Sequence, residues 1–170
     1  SFAFNFGPFT HTGVRMQYVV SDTIGVLAMI SNGQDNQTDD NSAKGFGGQI
    51  SWAPTDNVAL FFNYFGSAES QTEDTNNTED LRNFYDVVAD IGLAKNVSLN
   101  MNFVYGTEDN ANGRTLDAEW WGYSGIVRYD VNEWFSLNLR GEVFDDKDGF
   151  RSGTTQKLTA FTITPEVRIN

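Results

Sequence analysis

The chain contains no cysteine, a single histidine and only three prolines among its 170 residues. Without cysteine there is no disulfide scaffold and no thiolate-ligated zinc or iron–sulfur centre. One histidine excludes multi-histidine metal sites. No run approaches the 18 apolar residues of a transmembrane helix. Nor is there a charged, then apolar, leader, so any signal peptide is expected to have been removed or to lie outside this sequence. Basic residues are scarce: 11 against 23 acidic ones give a net charge of −12. That disfavours nucleic acid or an anionic membrane surface as the main partner. What the chain has in quantity is aromatic residues, 14%, with 14 phenylalanines, and 16 glycines. Many aromatics on a chain of negative mean hydropathy fit strict alternation, with one face apolar and the other wet.

The alternation is visible. In residues 97–105, Val97, Leu99, Met101, Phe103 and Tyr105 share one face while Ser98, Asn100 and Asn102 share the other. In residues 135–143, Phe135, Leu137, Leu139 and Val143 stand opposite Ser136, Asn138, Arg140 and Glu142. Period two over nine residues predicts strands. Further strands are predicted near 11–20, 24–33, 45–54, 58–67, 80–93, 118–131 and 158–169, and no amphipathic helix stands out.

Connections alternate in length. Short turns fall at Ser21-Asp22-Thr23, Thr55-Asp56-Asn57, Ala94-Lys95-Asn96 and Val131-Asn132-Glu133, and long polar loops near 34–43, 67–79, 106–117 and 145–156. Short turns at one end, long loops at the other and strands of about ten residues predict an all-β fold: an antiparallel up-and-down transmembrane β-barrel. Lipid offers no hydrogen bonds, so backbone groups must pair between strands with no open edge. Nearly all the net negative charge lies in the long loops, with acidic runs at Asp39-Asp40 and Glu73-Asp74. The wall is close to neutral, with Arg15, Arg82, Arg128, Arg140 and Arg168 balanced by Asp86, Asp90, Asp130, Glu142 and Glu166. A soluble antiparallel sandwich is the competing architecture, since periodicity alone does not forbid two apolar faces from packing together. Trp52, Tyr64, Tyr105, Trp121, Tyr129 and Trp134 fall near strand ends, as an aromatic girdle would.

Three segments carry a family resemblance: Phe4-Asn-Phe-Gly-Pro-Phe-Thr-His-Thr-Gly-Val14, Asp117-Ala-Glu-Trp-Trp-Gly122 and Phe144-Asp-Asp-Lys-Asp-Gly-Phe-Arg151. They resemble signature segments of the OmpL-like outer-membrane porins, the beta-barrel porin-2 family, over nearly the whole chain. The resemblance implies a Gram-negative outer-membrane barrel that passes small solutes. Nine strands are clear, and residues 1–8, with Phe2, Phe4 and Phe6 on one face, offer part of a tenth. Bacterial single-chain barrels use even numbers. A ten-strand barrel and a segment of a larger barrel are both open, the second being favoured. Residues 1–170 are read as one barrel domain or barrel segment.

The candidate pore-lining residues are Arg15, Gln17, Arg82, Asp86, Asp90, Asn100, Asn102, Arg128, Asn138, Arg140, Glu142, Glu166 and Arg168. No cofactor, resident metal or catalytic group is expected. His11 lacks a serine motif that would make it a base. Asp145, Asp146 and Asp148 precede Gly149 as carboxylates do in a calcium loop, but the bidentate glutamate at EF-hand spacing is missing. Gly45-Phe-Gly-Gly48 lies in a predicted strand rather than a phosphate loop. The expected function is a passive, water-filled outer-membrane channel, not an enzyme, with the long acidic loops outside and the short turns periplasmic. Its expected partners are outer-membrane lipid and small polar solutes or ions, with a homo-oligomer or membrane complex open and nucleic acid excluded. The alternative is a barrel acting as a scaffold, sleeve or surface-complex subunit.

Overall fold

The computed structural model describes residues 1–35, 37, 43–69, 80–111 and 116–169. Nine strands form one antiparallel sheet: β1 (Gly13–Val19), β2 (Ile24–Ser31), β3 (Gly45–Thr55), β4 (Val58–Ala68), β5 (Leu81–Ala94), β6 (Val97–Glu108), β7 (Ala118–Asp130), β8 (Phe135–Asp146) and β9 (Gln156–Val167). The strand order is the sequence order, an unbroken meander, and β1 and β9 do not pair with each other. The predicted strands are all present, several of them longer than the alternation alone suggests. Residues 2–5 are the exception: Phe2–Asn5 is one helical turn, α1, closed by bonds from Asn5 N to Ser1 O and Phe6 N to Phe2 O. That segment is no part of a tenth strand. It packs against β6, β7 and β8, where Phe2 finds apolar partners.

The turns at one end are tight. Asp56-Asn57 and Lys95-Asn96 are two-residue connections, and both follow a register shift in the strand before them. Pro54, which cannot donate to a ladder, falls within the first irregularity. Asn132 Oδ1 accepts from both Trp134 N and Phe135 N, fixing the β7–β8 turn.

The register separates two faces. Leu99↔Val127↔Leu139↔Ile163 is a row across four strands on one side, and Asn100↔Ile126↔Arg140↔Thr162 is the adjacent row on the other. The first face stays apolar and exposed from Val14 and Met16 on β1 to Phe161 and Ile163 on β9. In water such a continuous apolar sheet would aggregate or bury itself. The second face curls round a cavity of about 560 Å³, lined by side chains from β1 (Arg15) through β7 (Ile126). No helix among the described residues is long and apolar enough to cross a membrane.

Candidate pore wall

At mid-height on the concave face the side chains form a cross-strand ladder. Gln49 Nε2 donates to Asn63 Oδ1 at 2.7 Å, and Asn63 Nδ2 donates to Asp86 Oδ2 at 2.8 Å. Asn102 Nδ2 donates to the other Asp86 oxygen. Four adjacent strands, β3 to β6, each give one residue. The carboxylate fixes the sense of the chain: Asp86 can only accept, so both asparagines turn nitrogen toward it and Asn63 offers oxygen to Gln49. Asn100 Nδ2 holds Asp90 in the same way at 2.6 Å. These two carboxylates are thus held by amides rather than by the arginines that the balanced charge count suggests.

Arginines dominate nearer the short turns. Arg128 binds Glu166 (2.7 Å) and Asp130 (3.0 Å), Arg168 reaches Asp130 (3.1 Å) and Glu166 (3.3 Å), and Ser136 joins the knot through both arginines. Arg140 pairs with Glu142 at 3.1 Å. At the opposite, long-loop end, Arg82 is clamped by both oxygens of Glu108, and both residues are buried. Arg15, on the edge strand, has no ion pair among the described residues.

Toward the long loops the same face is filled. Phe84, Val104, Trp120 and Phe144 form a buried cluster against which Phe2, Phe6, Phe150 and Leu158 pack. Trp120 and Phe144 are 0% exposed. Phe6 stacks on Phe144 with ring centroids 4.5 Å apart, Phe2 N donates to Glu142 Oε2 at 2.8 Å, and Arg151 donates to Phe6 O at 2.8 Å. Asp146 organises the 147–155 connection by accepting from Ser152 N and Oγ. Trp120 fits only because its β6 neighbour is Gly106: a Cβ there would lie 2.2 Å from the indole. Gly45 serves the same purpose beside Phe65. His11 meets the edge of the Phe65 ring at 4.6 Å, and burial holds its imidazole below the ordinary value against the pull of Asp35. The carboxylate of Asp35 accepts from Phe9 N and Thr10 N.

On the convex face, one row of register partners runs Tyr64↔Tyr85↔Tyr105↔Trp121↔Asp145↔Lys157. Tyr64 and Tyr85 lie 5.1 Å apart, Tyr85 and Tyr105 6.3 Å, and Lys157 Nζ sits 5.5 Å from the Trp121 ring centre. Trp52, Tyr129 and Trp134 mark the short-turn end. From Trp121 to Tyr129 the strand covers about 27 Å, or about 20 Å along the membrane normal at a usual barrel tilt. That is close to the apolar band of outer-membrane barrels, roughly 25 Å tall.

The pairing puts Arg15, Gln17, Arg82, Asp86, Asp90, Asn100, Asn102, Arg128, Asn138, Arg140, Glu142 and Glu166 on the concave face, and Arg168 joins them through its ion pairs. Asp145, Asp146 and Asp148 do not converge. Asp145 is in the convex row, Asp146 is buried on the concave side, and Asp148 accepts from Glu119 N. No group of three or more potential metal ligands occurs among the described residues. The acidic runs Asp39-Asp40 and Glu73-Asp74 lie outside the described residues. Sequence reasoning missed the inward aromatics Phe65, Phe84, Trp120 and Phe144. The signal was available in the Trp120-Trp121 pair, since alternation sends one of two adjacent tryptophans inward.

No curated protein and no solved structure matches the chain. A family model does, over residues 1–170, and its description is "Putative beta-barrel porin-2, OmpL-like". With an antiparallel meander whose outer face is apolar and whose inner face is polar, the chain belongs to this OmpL-like β-barrel porin family of the outer membrane.

Proposed function

We propose that the concave face is the wall of a passive, water-filled channel for small polar solutes and ions. The amide–carboxylate ladder of Gln49, Asn63, Asp86 and Asn102 carries this reading. Polar side chains bonded across four strands, over a cavity and behind an apolar outer face, suit a wall that meets water on one side and lipid on the other. The residues proposed to line the passage are the candidate set from Arg15 to Arg168, with the buried Arg82 and Glu142 standing behind its surface rather than on it. The long acidic loops are placed outside and the short turns in the periplasm. Nothing in the reading calls for catalysis: His11 packs against the Phe65 ring. Stable, ohmic conductance steps from the purified protein in a planar bilayer are expected. A protein that inserts but never conducts would contradict the channel.

One observation favours a second reading. The aromatic cluster with α1 and the 147–155 connection fills the concave face near the long loops. A barrel filled in this way suits a scaffold, sleeve or surface-complex subunit. In that case the inserted protein is silent in the bilayer and migrates from native membranes in a stable complex.

A further inference from the structure

The cavity under the concave face is lined, among the described residues, by two charged side chains of opposite sign, Arg15 on β1 and Asp86 on β5. Elsewhere on this face charges are paired: Arg82 is taken by Glu108, Arg128 and Arg168 by Asp130 and Glu166, and Arg140 by Glu142. Arg15 and Asp86 have no ion-pair partner among the described residues, and they do not reach each other. The amides of Asn63 and Asn102 bond Asp86 but cancel none of its charge. A carboxylate offers about four acceptor sites, so Asp86 keeps room for a further donor. Four strand spacings, about 19 Å along the curled wall, separate β1 from β5. Part of the wall between the two charges is apolar, where outer-membrane barrels usually carry polar residues. Met29 is the register partner of Arg15, Leu27 lies on the same face of β2, and Val88 follows Asp86 on the same face of β5; all three are half-buried and line the cavity. Gln49, also on the lining, gives one amide hydrogen to the ladder. Its second hydrogen and its oxygen have no partner among the described residues, so it can bond an amide of a guest.

We propose that this cavity binds short zwitterionic peptides with apolar side chains. This names the solute of the channel reading and rests on that reading for access to the wall. The peptide's carboxylate pairs with Arg15 and its ammonium group with Asp86. A peptide amide bonds Gln49, and an apolar side chain lies on Leu27, Met29 and Val88. A single α-amino acid holds its two charges too close together to meet both partners, whereas an extended chain gains roughly 3.3–3.6 Å per residue. The cavity volume, about 560 Å³, falls within the usual range of small-molecule sites.

Calorimetric titration of the protein folded in lipid nanodiscs tests this. The probes are Ala-Leu-Ala with free ends, the same tripeptide acetylated at its amine, the same tripeptide amidated at its carboxylate, and Gly-Gly-Gly with free ends. Ala-Leu-Ala is expected to bind saturably, and about tenfold more tightly than each of the others, as the loss of one charge-assisted or apolar contact implies. These comparisons use the unaltered protein and need no variant to fold. In Arg15→Gln the free and amidated peptides should bind alike while the preference for a free amine persists; in Asp86→Asn the reverse is expected. No saturable binding, equal binding of any of the other probes, or variants that keep both preferences would overturn the proposal. Conductance is read separately in a planar bilayer. A protein that binds Ala-Leu-Ala but never conducts contradicts the channel alone, and one that conducts ions but binds no peptide contradicts this proposal alone.

Discussion

At the scale of single residues, packing on the concave face depends on glycines that are small for a reason. Gly106 leaves space for Trp120, whereas nothing lies within 4 Å of a Cβ added at Gly141 on the convex face. Gly106→Val is therefore expected to cost about 1–3 kcal/mol through overpacking, and Gly141→Ala to be close to neutral. Thermal unfolding of both variants in detergent checks the difference; equal losses would contradict the packing. His11 offers a second test. Its folded value lies below the unfolded 6.5, so the unfolded chain takes the proton more readily. Stability from neutral His11 is present above that value and is lost as pH falls below about 6.5. An NMR titration should give His11 a midpoint below 6.5, and His11→Gln should flatten the pH dependence of unfolding between pH 7 and 5. The residue types on this face could be read from alternation, but their partners could not. Asp86 has arginines within the sequence pattern, and only the register shows Asn63 and Asn102 across from it. Register depends on where each turn bulges, and a shift of one residue exchanges the faces.

At the scale of elements, strands were the most legible feature: period two runs through β6 and β8, while β2 and β4 carry apolar residues on both faces, Leu27 and Met29 in one and Phe61 and Phe65 in the other. Phe2–Asn5 was not legible. Phenylalanines at alternate positions fit a strand, and what decides otherwise is the apolar pocket of Phe144 and Trp120 waiting at the far end of the chain. Strand β8 tests the two faces. Leu137 and Leu139 belong to the convex rows, Asn138 and Arg140 to the concave ones. Leu139→Arg should impair insertion by about 2–4 kcal/mol near the midplane, while Asn138→Arg should insert normally. Folding yield into lipid vesicles measures both. Equal yields, or a reversed order, would contradict the assignment of the faces.

At the scale of the whole molecule, charge sets the expected selectivity. On the concave side Asp86, Asp90, Glu108, Asp130, Glu142, Asp146 and Glu166 outnumber Arg15, Arg82, Arg128, Arg140, Arg151 and Arg168 by one, and the chain as a whole carries −12. A conducting channel should therefore prefer cations, and more strongly at 0.01 M salt than at 1 M, because the screening length falls from about 30 to about 3 Å. Asp86→Asn should reduce the preference seen in reversal potentials; a wild-type anion preference would contradict the charge placement. The most direct measurement uses the absence of cysteine. Asn102 and Phe103 are neighbours on β6 that face opposite sides, the first in the ladder and the second exposed on the convex face. Single-channel current should fall in steps when a charged, water-soluble thiol reagent is added to Asn102→Cys, and should not change for Phe103→Cys. Modification of Phe103→Cys with an unreactive Asn102→Cys would contradict the account.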